Sequence, residues 1–101
     1  MTVGILHLVF QSPSQTGGFR QCLERTNEND AVLLLGGAVV GAKKASTVSK
    51  VLKQSSATIY VLEEDLAARG IAPEALLDSI TLVSFAEFVG LTETYSRILS
   101  W

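Results

Sequence analysis

A single cysteine stands among the 101 residues. That scarcity excludes an internal disulfide, a CxxC redox pair and a thiolate zinc cluster. The one histidine excludes an HExxH metal site, and no metal or cofactor is expected. Charge is also sparse: 18% of residues are Asp, Glu, Lys or Arg, below the roughly 25% of ordinary soluble domains. A formal net charge of −2 argues against direct nucleic-acid binding. No apolar run approaches the ~18 residues of a membrane span. The stretch Met1–Phe10 is apolar but has no basic n-region and no small-residue cleavage site. A lone reduced thiol without a signal peptide reads as cytoplasmic.

What the chain does have is apolar surface, with 48% of its residues hydrophobic. Residues 1–101 are expected to make one small domain, because a second core would not fit. Four short apolar runs have strand character: Val3–Val9, Ala31–Leu35, Ala57–Leu62 and Ile80–Val83. Helical stretches lie between them. Thr16–Thr26 puts Phe19, Cys22, Leu23 and Thr26 on one face at helical spacing. Ala38–Gln54 offers Ala38, Ala45, Val48 and Leu52 on a stripe, with Gly41 as its weak point. Glu64–Arg69 ends at Gly70 and pairs Asp65 with Arg69 at i, i+4. Ser84–Tyr95 opens on a capping-box pattern, Ser84 with Glu87, and its inner face reads Phe85, Phe88, Val89, Thr92. Arg97–Trp101 has the look of a final strand with a docked Trp. Strand–helix alternation predicts a three-layer α/β domain with a mostly parallel sheet and right-handed connections. The expected core is Ile5, Leu33, Leu34, Ile59, Val61, Leu82, Phe85, Phe88 and Val89.

Few residues carry chemistry. Cys22 is the sole possible thiol nucleophile or persulfide carrier. Its place on the Phe19–Leu23 stripe favours a small core residue instead, and it lies beyond the first helical turn, where the dipole would activate it most. His7 shares a strand face with Val3, Ile5 and Val9, so it reads as a core histidine bonded to backbone. Gly17-Gly18 and Gly36-Gly37 both follow strands, where open sheets bind ligands. Neither is GxGxxG or a P-loop, and tight turns explain them more simply. Lys43-Lys44 after the second pair leave a weak phosphate-cradle reading. Charge is uneven: six cations face three acids in residues 1–54, and two face seven in 55–101. High apolar content with little charge also predicts an oligomer, for which Ala38, Val39, Val40, Ala42 and Ala45 are the expected contact.

Four segments match a known pattern. They are Leu6-His7 with Ser12-Pro13, Asp30-Ala31-Val32-Leu33-Leu34 leading into a Gly, Tyr60 through Gly70 (YVLEEDLAARG), and Phe88-Val89-Gly90-Leu91-Thr92 with Trp101. On these the sequence resembles the DsrH/TusB family of sulfur-relay subunits. The resemblance implies a Rossmann-like, DsrEFH-like fold. It implies a heterohexamer with DsrE/TusD-type and DsrF/TusC-type subunits. That complex relays persulfide sulfur through a DsrC/TusE-type acceptor, toward tRNA wobble 2-thiouridine in the Tus branch or sulfur oxidation in the Dsr branch. The family's sulfur-carrying Cys belongs to the DsrE/TusD-type subunit, which makes this chain a non-catalytic partner. Many DsrH-type chains also carry a Cys on the first helix, and Cys22 matches that place as a candidate persulfide carrier. One departure is the loop after the second strand: the family usually has an acidic residue before Gly, and here it is Gly36-Gly37. The competing readings are a stand-alone persulfide transferase using Cys22 and a non-catalytic homo-oligomeric structural domain.

Overall fold

The computed structural model describes residues 2–14 and 17–101. Five parallel strands form one sheet in the order β4-β3-β2-β1-β5. They are β1 Thr2–Val9, β2 Ala31–Leu34, β3 Thr58–Leu62, β4 Thr81–Val83 and β5 Tyr95–Ser100. The helices are α1 Gly18–Arg25, α2 Ser49–Gln54, α3 Glu63–Ala68 and α4 Phe85–Thr94, with 3₁₀ turns at Gly36–Ala42 and Pro73–Ala75. The expected start of the first helix at Thr16 lies outside the described residues. Parallel neighbours need long crossovers, and every connection here contains a helix or a 3₁₀ turn. The anticipated parallel α/β domain is therefore present, and the chain's last strand returns to pair with β1 at the opposite end of the order.

The period-2 alternation of the strands sorts the core into two layers. Val9, Val32, Leu34, Ile59 and Val61 face a cluster built from Phe19, Cys22, Leu23, Ala38, Val39, Val48, Leu52 and Leu66. Leu6, Leu8, Leu33, Leu62 and Val83 face the other way, where Phe88 and Leu91 of α4 cover them. One side thus has several elements packed on it. Among the described residues the other side has α4 as its only helix.

Three expectations need correction. The stretch 38–54 is not one helix but a 3₁₀ turn, an irregular segment bridged at Lys43 to Leu76, and the short α2. Gly41, adjacent β-branched Val39-Val40 and the Ser46-Thr47 pair all disfavour continuous helix. Gly41 is not merely a weak point: a Cβ there would lie 2.6 Å from Cζ of Phe19, so the buried ring requires a bare backbone. Ala45 is exposed, whereas Ala38, Val39 and Ala42 sit in the chain's own core. They are not available as the expected contact surface.

The second correction concerns α4. Its Ser84 capping box is formed as expected, but Phe85 and Val89 are 58% and 41% exposed. Phe88 is half-buried, and so are Ile5 and Leu82. The helix is apolar on several sides (Phe85, Ala86, Phe88, Val89, Leu91), so periodicity did not select the side that meets the sheet. The third is the Asp65–Arg69 pair. Each residue binds the Gly36 peptide: Asp65 Oδ2 accepts from Gly36 N at 2.7 Å, and Arg69 Nε donates to Gly36 O at 3.0 Å. Gly36 has φ +56°, a left-handed turn that suits Gly alone and that α3 holds from both sides.

Candidate functional site

The first candidate is the only thiol. α1 carries Cys22 on the face that also buries Phe19 and Leu23, and the residue has no exposed surface. Burial pushes its pKa up, the negative charge of Asp30 adds to that, and the result is about 12. A carrier thiol reacts as thiolate. Near neutral pH the thiolate fraction at such a pKa is roughly one in ten thousand or less. Arg20 and Arg25, the neighbouring cations, are both exposed. Labelling of native protein by a thiol reagent should therefore run at least about a hundredfold slower than labelling of the urea-unfolded chain. Equal rates would show that the thiol is open.

The second candidate is His7, which sequence reasoning paired with backbone. Its partners are side chains instead. Nε2 lies 2.9 Å from Asp30 Oδ2, and Trp101 Nε1 donates to Nδ1 at 3.0 Å. An indole N–H can only donate, so Nδ1 is bare and Nε2 carries the proton toward Asp30. The chain Trp101→His7→Asp30 thus has one direction. Asp30 also accepts from Ile5 N at 2.9 Å and from Asn27 N at 3.1 Å. Burial tends to raise its pKa, but the hydrogen bonds from Ile5, His7 and Asn27 outweigh that and hold it below the ordinary carboxylate value. Trp101 is anchored further by its own N–H on Leu8 O at 2.8 Å, and the Arg25 guanidinium lies 5.8 Å from its ring centre.

This network resembles a base with its orienting carboxylate, yet it has no place for a substrate. His7 is 1% exposed and Asp30 4%. Both imidazole nitrogens are engaged, one of them by an indole that cannot act as a nucleophile. The network's effect is to tie β1, the loop before β2 and the residue after β5 into one unit. Sequence reasoning missed it because the partners lie 23 and 94 positions from His7. The usable signal was the need of a buried histidine for polar partners. Among the described residues no group of three or more His, Cys, Asp or Glu is placed to hold a metal ion. No described helix is long and apolar enough to cross a membrane.

The fold and this closed core define the class first: a small, all-parallel α/β domain shared by solved structures of low sequence identity. The crystal structure of the ychN protein from E. coli superposes with a TM-score of 0.81 at 14% identity, covering 97% of this chain and 98% of that one. The solution structure of Tm0979 from Thermotoga maritima gives 0.69 at 21% identity, covering 89% and 92%. The family follows from sequence. The pattern described as "DsrH like protein" matches residues 11–98. Proteins named "Protein TusB" from Yersinia pestis (strain Pestoides F) and Yersinia pseudotuberculosis serotype O:1b (strain IP 31758) are each 37% identical over 76 residues. The match spans 75% of this chain and 78% of each relative. The chain belongs to the DsrH/TusB family.

Proposed function

We propose that the chain is a subunit of a persulfide sulfur-relay complex and contributes surface to it rather than a reacting thiol. Family membership supports the relay. The observation that carries the subunit role is apolar side chains left uncovered on α4 and on both faces of β5. Phe85 and Val89 on α4, and Ile98 and Leu99 on β5, are all 41–58% exposed, and β5 is an edge strand with one side unpaired. A domain this small cannot cover such a surface by itself. Unprotected edge strands are where further chains add. Homologous DsrE/TusD-type and DsrF/TusC-type subunits are the proposed partners, with a DsrC/TusE-type acceptor downstream. The TusB relatives favour the branch ending in tRNA wobble 2-thiouridine over sulfur oxidation through DsrC.

A homo-oligomer of the isolated chain is the second reading, supported by the same uncovered side chains. The stand-alone transferase is disfavoured by the buried, high-pKa thiol of Cys22. Light scattering after size exclusion should give a particle larger than the 10.8 kDa monomer, and Phe85→Asp with Ile98→Asp should shrink it. A clean monomer that also ignores co-expressed partner subunits would sink the assembly reading.

A further inference from the structure

A cavity of about 420 Å³ opens at the carboxyl edge of the sheet, and the relay reading makes no use of it. It is lined by Phe10, Ser12 and Ser14 after β1, by Gly37 and Val40 after β2, and by Arg69 after α3. Open parallel sheets bind ligands at this edge. Arg69 is already oriented there, because its Nε bond to Gly36 O fixes the guanidinium plane. The nearest acid in sequence, Asp65 of α3, is directed at the Gly36 N–H. No carboxylate is among the lining residues.

Gly37 forms the floor. A Cβ placed there would lie 3.3 Å from Ser12 N, 3.6 Å from Phe10 O and 3.9 Å from Arg69 Nη2. The space over its Cα is therefore flanked by a backbone nitrogen and a guanidinium nitrogen. The Phe10 carbonyl that shares this space accepts from Ala38 N. The Ser12 and Ser14 hydroxyls stand 3.0 Å apart at the rim, and a hydroxyl can turn its proton toward an acceptor.

We propose that this cavity is a binding site for a small oxyanion of the phosphate or sulfate type, with Arg69 as its charge partner and Ser12 and Ser14 as further donors. The fork of an arginine suits two oxygens of such an anion. The glycine pair thus has a cation beside it, but that cation is Arg69. Lys43-Lys44, the expected pair, are exposed, and Lys44 lines a different cavity with Lys53, Leu77, Asp78 and Ser79. There Asp78 supplies a counter-charge that disfavours an anion. The site stands or falls independently of the relay reading.

Inorganic phosphate, titrated into the ¹⁵N-labelled chain and followed by amide and Arg Nε–H shifts, tests it. Saturable shifts are expected at Ser12, Ser14, Gly37 and Arg69. R69Q should weaken the affinity by about tenfold or more. G37A leaves every charge in place and fills the floor, so it should weaken binding to a similar degree. K44Q should leave it unchanged. Arg69 is exposed, so R69Q reports on the site even where G37A displaces the loop. Shifts that never saturate up to tens of millimolar, binding that survives R69Q, or shifts centred on Lys44 and Lys53 would each overturn the proposal.

Discussion

Asp30→Ala should be among the most damaging single changes in the chain, at about 3–5 kcal/mol. Its carboxylate receives three hydrogen bonds, from Ile5 N, Asn27 N and His7 Nε2, at a position 4% exposed. Alanine leaves all three donors without their acceptor, and a buried unsatisfied group is costly. The melting temperature should fall by roughly 15 °C or more. Asp30→Asn is the sharper probe. Its amide N–H₂ would face donors, and reversing the imidazole tautomer would set an N–H against the Trp101 indole. Trp101 is the only tryptophan, so its emission should shift to the red in D30N. Unchanged emission would mean that the three side chains do not act as one chain. Acid acts on the same group. The folded pKa lies below the ordinary 3.8, so Asp30 contributes its stability fully above about pH 4. That contribution is lost as pH falls through the folded value. A stability profile that stays flat on acidification well below that point would contradict the assignment.

Gly4→Ala should be comparably severe, at about 3 kcal/mol or more. A Cβ at position 4 would fall 1.8 Å from Asn29 O and 2.9 Å from Asp30 N. These are backbone atoms, so no side chain can swing away. β1 lies inside the sheet with β2 and β5 on its flanks, so it cannot retreat without breaking a ladder. The close approach permitted by glycine is also what puts Ile5 N within reach of Asp30. Combined with D30A, G4A should therefore cost clearly less than the sum of the two, because both disrupt one contact. Full additivity in urea titrations would separate them.

Much of the fold was legible because local patterns carried it. The runs at 3–9, 31–35, 57–62 and 80–83 are bounded by turn residues. The Ser84–Glu87 box marks the start of α4, and the Phe19–Cys22–Leu23 spacing marks the inner face of α1. What was not legible depended on contacts between distant segments. A helix over 38–54 fits the stripe, but Gly41 is set by the Phe19 ring across the core. The apolar α4 gave no single stripe, so Phe85 and Val89 were assigned inward, whereas the sheet beneath meets Phe88 and Leu91. Asp65 and Arg69 have helix-pair spacing, yet both bond to a left-handed Gly36 peptide about 30 residues away. For the site, Cys22 was read correctly as lying on a core stripe. The Asp30–His7–Trp101 network was invisible because its members belong to the interior of β1, the residue before β2 and the residue after β5, which only the parallel topology brings together.

The central claim is that the chain serves a sulfur relay by assembling, with its thiol withheld. Intact mass of each subunit, after co-expression with DsrE/TusD-type and DsrF/TusC-type partners and incubation with a cysteine desulfurase and cysteine, tests it most directly. The account predicts an added sulfur on the DsrE/TusD-type partner. It predicts no stoichiometric addition to this chain, and loading of the complex that is unchanged by Cys22→Ser. Stoichiometric sulfur on Cys22, or loss of loading in the Cys22→Ser complex, would contradict it.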